Sequence, residues 1–160
     1  MEKKLKIYLD TSIINFLFAN DAPEKKDVTV EFFENYLTDY DVYISENVLV
    51  EINKTSNIDK KINLLKIIKE YKLKPFNILN DDILLLANKY IEAGILSEKK
   101  FDDAIHIAFA SYYEFDILLS WNFKDIANVK KQISVDIVNK QNGFMKTLLL
   151  LNPYEVIYEK

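Results

Sequence analysis

Short, β-prone apolar runs alternate along this chain with longer segments of helical periodicity, and this alternation constrains the fold more than any other feature. Parallel strands need a crossover between them, and a helix usually provides it, so such alternation is typical of parallel sheets. The sequence therefore predicts an α/β fold with a central, mainly parallel β-sheet flanked by helices. The predicted strands are residues 5–9, 41–45, 116–120 and 146–151.

The boundaries of several predicted elements follow from local signals. Residues 72–79 contain Pro75 and are predicted to be an extended connector or an edge strand, because proline cannot donate to a central strand ladder. Ser45 is placed to cap a short helix after the second strand, and Gly94 is placed to end a helix over 81–93. Further helices are predicted over 10–20, 24–39, 58–71 and 97–115, with another that ends near Gly143.

No repeat, linker or low-complexity segment divides the chain, so residues 1–160 are predicted to form one domain. No apolar run approaches the roughly 18 residues that would indicate a membrane span. The lysine-rich start leads into only a short apolar stretch before Asp10, which is unlike a signal peptide. We therefore expect a cytoplasmic protein that does not bind a membrane.

The composition excludes several classes of active site. The chain has no cysteine and one histidine, His106, so thiolate chemistry, multi-histidine zinc sites and histidine pairs cannot be built from one chain. Its two glycines, Gly94 and Gly143, are too far apart for a glycine-rich phosphate loop. The remaining chemistry is that of 25 acidic residues and 21 lysines, with no arginine.

Acidic and amide side chains stand beyond the ends of predicted strands or on helices next to them, where ligands bind in parallel sheets. A carboxylate on a buried face is costly unless something pairs with it, and arginine, the usual bidentate partner, is missing here. A divalent cation such as Mg²⁺, which takes hard oxygen ligands, is a natural replacement. The candidate residues are Asp10, Glu51, Asp102, Asp103, Asn122 and Asp125.

Each candidate also has an ordinary structural interpretation. Asp10 could be only a helix N-cap, worth about 1 kcal/mol, and Glu51 could point to water. Acids in a first helical turn are favoured by the helix dipole whether or not they take part in chemistry. His106 in an apolar helix is more often packed and hydrogen-bonded than catalytic, although it could support neighbouring ligands. The lysine-rich segment 54–74 is more typical of a solvated helix face than of an RNA-binding track.

Four motifs in order resemble PIN-domain ribonucleases of the VapC toxin type: "YLDTSIINFL", "SENVLVEI", "DDAIHIAFA" and "LLSWNFKDIAN". The later "VNKQNGF" and "NPYEV" resemble the C-terminal part of one such subfamily. The resemblance implies a PIN-like α/β domain whose acidic cluster binds Mg²⁺ or Mn²⁺ and hydrolyses RNA phosphodiester bonds. It also implies the role of an endoribonuclease toxin in a type II toxin–antitoxin system, with a cognate antitoxin and often a homodimer.

The resemblance assigns the catalytic and metal-binding roles to Asp10, Glu51 and Asp103. A fourth position falls at Asn122, where many members have aspartate, so Asn122 would offer only a carbonyl oxygen and Asp125 could restore the charge. Hydrogen-bonding support is expected from Thr11, Ser12, Asn15, Asp102 and His106.

The departure at Asn122 leaves a second interpretation open, a catalytically inactive PIN-like module that binds protein or RNA. A third interpretation is a receiver-like phosphoacceptor with Asp10 at a strand end. It fits an α/β sheet, but it does not account for Glu51 together with the later acids.

Overall fold

A computed structural model describes residues 3–76 and 79–158, so the predicted domain of residues 1–160 extends beyond the described part at both ends. Within that part, five strands form one sheet in the order β3-β2-β1-β4-β5, and every neighbouring pair is parallel. This confirms the α/β fold and makes the described sheet wholly parallel. The strands are β1 (Lys6–Leu9), β2 (Asp41–Ser45), β3 (Lys74–Phe76), β4 (Ile117–Leu119) and β5 (Leu149–Leu151).

The α-helices of the described residues are α1 (Thr11–Phe16), α2 (Pro23–Glu31), α3 (Glu46–Asn53), α4 (Ile58–Glu70), α5 (Asp81–Glu92), α6 (Phe101–Tyr112) and α7 (Val129–Gln141). The helix predicted over 24–39 is not regular along its length. After α2 it widens into a π-helical turn at Phe32–Tyr36 and then tightens into a 3₁₀ turn at Leu37–Asp39. Another 3₁₀ turn, Glu98–Lys100, precedes α6. Over the described ranges, no helix combines the length and the apolar character needed to cross a membrane.

Local signals set several element boundaries as predicted. Ser45 Oγ accepts a hydrogen bond from Val48 N at 3.3 Å and so caps α3. Gly94 follows α5 with a φ of +74°, a left-handed conformation that favours glycine. Pro75 lies in β3, which is an edge strand of the sheet. Residues 77 and 78, at the end of the predicted connector, lie outside the described residues.

The central strands are covered on both faces. Ile7, Tyr8 and Leu9 are consecutive in β1 and none of them is accessible to solvent, and all of β4 is likewise buried. Because successive side chains of a strand point to opposite faces, this burial requires helices on both sides of the sheet. Burying each large apolar side chain stabilises the fold by about 1.5–3 kcal/mol, so the sheet is a rigid base for whatever its ends carry.

The strand order reverses between β1 and β4. The chain adds β2 and β3 on one side of β1, then returns to place β4 and β5 on the other. Ligand crevices in parallel sheets lie at such a reversal, beyond the carboxyl ends of the strands. Asp10 and Ser120 are the first residues beyond β1 and β4, and Asp10 N donates to Leu119 O at 3.2 Å.

Candidate metal-binding site

Asp10 is buried at this reversal, with 4% of its surface exposed. It occupies the N-cap position of α1, but its side chain makes no capping hydrogen bond. Instead, Oδ1 accepts from Ser12 Oγ at 2.5 Å and Oδ2 accepts from Ser120 Oγ at 2.5 Å. A capping role therefore does not explain why this carboxylate is buried.

The two serine hydroxyls are themselves oriented by backbone donors. Trp121 N donates to Ser12 Oγ at 2.9 Å, and Asn122 N donates to Ser120 Oγ at 3.0 Å. Since each hydroxyl oxygen already accepts an N–H, its own proton is free to donate to Asp10. Burial raises the pKa of Asp10, whereas His106 and the two serines act to lower it.

Asp103, in the first turn of α6, shares the electrostatic environment of Asp10. Burial raises the pKa of Asp103 to about 6, and the negative charges of Asp125 and Asp10 add to this effect, while His106 and Lys100 oppose it. Ionisation of the Asp103 carboxyl therefore costs free energy in the folded protein. A positive charge placed among these acids would relieve that cost.

Asn122 lies between two of the acids. Its Nδ2 is 3.5 Å from Asp103 Oδ2 and 3.5 Å from Asp125 Oδ2, whereas its Oδ1 accepts from Asp125 N at 3.0 Å. That last bond fixes the orientation of the amide, because a backbone N–H can only donate. Asn122 thus turns its amino group, and not its carbonyl oxygen, toward the carboxylates. Lys100 Nζ lies 3.3 Å from Asp125 Oδ2 and adds a positive charge at this corner.

Glu51 is joined to the site through His106, which is buried in α6. His106 Nε2 lies 2.9 Å from Glu51 Oε1, and Nδ1 lies 2.6 Å from Tyr8 Oη. Tyr8 Oη is in turn 2.7 Å from Ser45 Oγ. The imidazole is therefore held at both nitrogens, between a helix residue and the buried centre of β1.

His106 is buried next to several of the acids, which favour its protonated form. Burial works against its charged form, but the hydrogen bond to Glu51 and the charges of Glu51, Asp10 and Asp103 outweigh burial and raise its pKa. Burial would likewise raise the pKa of Glu51, but the hydrogen bond from His106 and its charge lower it. Both effects favour an imidazolium–carboxylate pair.

The remaining predicted residues contribute unequally. Thr11 Oγ1 is buried near Glu51, and its hydrogen bond helps to lower the pKa of that carboxyl. Asp102 is exposed and Asn15 is half-buried, and neither makes a side-chain hydrogen bond to the acids within the ranges described. The structure therefore brings Thr11 and Ser12 to the site and leaves Asn15 and Asp102 without such a contact.

The acids do not form a closed cage. Among residues 3–76 and 79–158, no three histidine or acidic side chains are grouped closely enough to hold a metal ion by themselves. The donor set still fits Mg²⁺, which keeps several waters and is commonly held by one or two carboxylates together with substrate phosphates. The raised pKa of Asp103 is consistent with such a water-rich site.

We expect the Asp103→Asn variant to be more stable than the wild type in metal-free buffer at pH 7, by about 1–2 kcal/mol after allowance for partial solvent exposure. The pKa of Asp103 is raised, to about 6, so its ionisation opposes folding above that pH, and the opposition disappears as the pH falls toward 3.8. Urea unfolding at pH 7 and pH 4 measures this gain, which should shrink at the lower pH. A gain that does not depend on pH would contradict the electrostatic explanation.

Some residues of the site were not predicted from the sequence. Ser120, Tyr8 and Lys100 all contact a predicted acid or His106. Ser120 could have been found by aligning the ends of the predicted strands, because it is the counterpart of Asp10 beyond β4. The roles of Tyr8 and Lys100 depend on the packing of α6 against the sheet, for which the sequence gives no local signal.

Comparison with a known protein family agrees with the α/β fold. The sequence model of the PIN domain family matches residues 7–131. That range contains every predicted site residue, from Asp10 to Asp125. No curated protein sequence matches the chain at significant similarity.

Proposed function

Because the chain belongs to the PIN domain family, whose members are generally nucleases, we propose that it is a metal-dependent endoribonuclease and the toxin of a VapC-type pair. The observation that carries the proposal is the burial of Asp10 beside Asp103 and Asp125, at the reversal of strand order. Three carboxylates that interact electrostatically at this edge of the sheet are costly for the fold alone. They are explained if they serve to bind a divalent cation, which in turn would contact a phosphodiester.

Asp10 and Asp103 are the residues that would hold Mg²⁺ or Mn²⁺, with Asp125 and Glu51 in support through water. Ser12 and Ser120 keep Asp10 aimed into the site and favour its ionised form. When bound, the cation would supply a water of lowered pKa and stabilise the charge of an in-line displacement at phosphorus. No histidine base is required, and His106 instead holds Glu51 in place.

The orientation of the Asn122 amide favours an alternative function, that of an inactive PIN-like module that binds protein or RNA. Its amino group already compensates part of the charge of Asp103 and Asp125, which lowers the need for a metal there. The two functions differ in what Mg²⁺ does to the protein, so a binding measurement without RNA separates them.

We expect saturating Mg²⁺ or Mn²⁺ to raise the melting temperature of the wild type by about 5–10 °C, because at 100 times its Kd a ligand adds about 2.7 kcal/mol of stability. Differential scanning fluorimetry in chelator and in a metal series measures the shift. Asp59→Asn, an exposed acid of α4, is the matched control and should respond as the wild type does. An unchanged melting temperature would favour the inactive module.

Two exposed apolar stripes support a protein partner, such as an antitoxin or a second copy of the chain. On α4, Ile58, Ile62 and Leu65 are exposed on one helical face, and on α7 so are Val129 and Ile133. We propose that the protein acts in the cytoplasm, is held by a cognate antitoxin and forms a homodimer. A short adjacent reading frame for a small DNA-binding protein would identify the partner.

A further inference from the structure

Phe123 is an exposed aromatic residue directly after Asn122, at the edge of the acidic site. It exposes 40% of its surface, whereas its neighbour Trp121 is buried. Tyr154, equally exposed, lies across Trp121 with 5.3 Å between ring centroids, and Phe123 lies 5.9 Å from the same ring. Two exposed rings therefore flank one buried indole beside the acids.

The loop that carries Phe123 is fixed by hydrogen bonds. Asn128 Nδ2 donates to Phe123 O at 2.7 Å and to Lys124 O at 3.1 Å. Ala127 N donates to Asn122 O at 2.8 Å, and Asn128 Oδ1 caps α7 by accepting from Lys131 N at 2.9 Å. Phe123 is thus held outward by an ordered loop, so its exposure is built into the fold.

Lys25 of α2 completes this surface. Its Nζ lies 4.9 Å from the ring centroid of Phe123 and 5.7 Å from those of Phe16 and Trp121. Within the described residues Lys25 takes part in no ion pair. A lysine held over aromatic rings without a carboxylate partner keeps its charge available to an anion.

The position of Lys25 is set by a buried hydrogen-bond chain. Trp121 Nε1 donates to Thr29 Oγ1 at 2.8 Å, and Thr29 Oγ1 donates to Lys25 O at 2.6 Å. Thr29 is inaccessible to solvent. The chain ties α2 to the loop after β4, so the lysine and the exposed ring are presented together.

We propose that Phe123 and Lys25 form a nucleotide subsite, in which a base of single-stranded RNA stacks on the ring and Lys25 contacts the adjoining phosphate. The inference rests on the proposed ribonuclease function and names where its substrate lies. Aromatic rings with neighbouring cations are how proteins hold unpaired bases, which duplex RNA does not offer. The acids repel phosphates, so flanking nucleotides need a contact of this kind beside them.

The test is the binding of a short, labelled single-stranded RNA, measured by fluorescence anisotropy in the Asp10→Asn background with Mg²⁺. Phe123→Leu should weaken binding by roughly 5- to 100-fold, the range expected for the loss of one stacked base. Phe123→Trp should retain binding. An RNA of the same length without bases should bind the Phe123→Leu variant as tightly as it binds the protein with Phe123. Leu85→Ala, an exposed apolar residue of α5, is the matched surface control.

Lys25→Met gives a second readout. It should reduce the slope of log affinity against log salt by about 0.7, the value for one phosphate contact on a single strand, and Lys25→Arg should restore the slope. The subsite would be refuted if Phe123→Leu bound the RNA as tightly as the parent protein does. It would also be refuted if the variant lost as much affinity for the RNA without bases as for the RNA with bases. Either result would hold even if the wild type cleaves RNA. Ring-dependent binding by a protein that cleaves no RNA would support the subsite and refute the nuclease.

Discussion

Asp10→Asn is expected to reduce metal-dependent RNA cleavage by on the order of 10³-fold, because it removes a charged ligand that supplies several kcal/mol of transition-state stabilisation. The amide keeps the shape of the side chain, so the fold should persist. Cleavage of a labelled single-stranded RNA under single-turnover conditions, in Mg²⁺ and in Mn²⁺, measures the loss.

The control for this variant is Asp59→Asn, which makes the same chemical change at an exposed position of α4. Circular dichroism and thermal melting establish that both variants are folded. An Asp10→Asn protein that cleaves RNA at the wild-type rate would contradict the proposed role of Asp10. A wild type without activity in either metal would favour the inactive module.

His106→Leu is expected to lower the free energy of unfolding in metal-free buffer at pH 6 by about 2–4 kcal/mol, because it leaves Glu51 and the neighbouring acids without their buried cation. His106→Gln keeps a donor toward Glu51 but no charge, so it should cost less. Urea unfolding in chelator measures both variants. Added Mg²⁺ should recover part of the loss, since a bound cation replaces the missing charge.

The pH dependence of this loss has a definite sign. The pKa of His106 is raised in the folded state, so the stability it contributes is fully present below its ordinary value of 6.5 and is lost as the pH rises through the raised pKa. The difference between the wild type and His106→Leu should therefore be larger at pH 6 than at pH 9. A difference that grows with pH would contradict the imidazolium–carboxylate pair.

The fold could be predicted from the sequence because its signals are local. The alternation of strands and helices, Pro75 in an edge strand, and Gly94 after α5 each reflect one stretch of chain. Predictions of helix ends were less accurate. The segment 97–115 forms α6 only over Phe101–Tyr112, with a 3₁₀ turn before it, because tertiary packing decides where a weakly capped helix begins.

The candidate site could be predicted only in part. Asp10, Asp103 and Asp125 can be proposed from the sequence because they stand near ends of elements that the parallel topology brings together. The chain from Ser45 through Tyr8 and His106 could not be found, because it crosses the sheet between residues far apart in sequence. The direction of the Asn122 amide depends on one backbone bond, which no sequence pattern encodes.

The position of a bound ion in a crystal would show whether these acids bind a divalent cation. Crystals of the wild-type protein soaked in Mn²⁺ allow the ion to be located by its anomalous scattering. We predict a peak about 2 Å from a carboxylate oxygen of Asp10 or Asp103, with the other acids reached directly or through water. A fully soaked crystal with no peak beyond the carboxyl ends of β1 and β4 would show that these acids do not form a metal site.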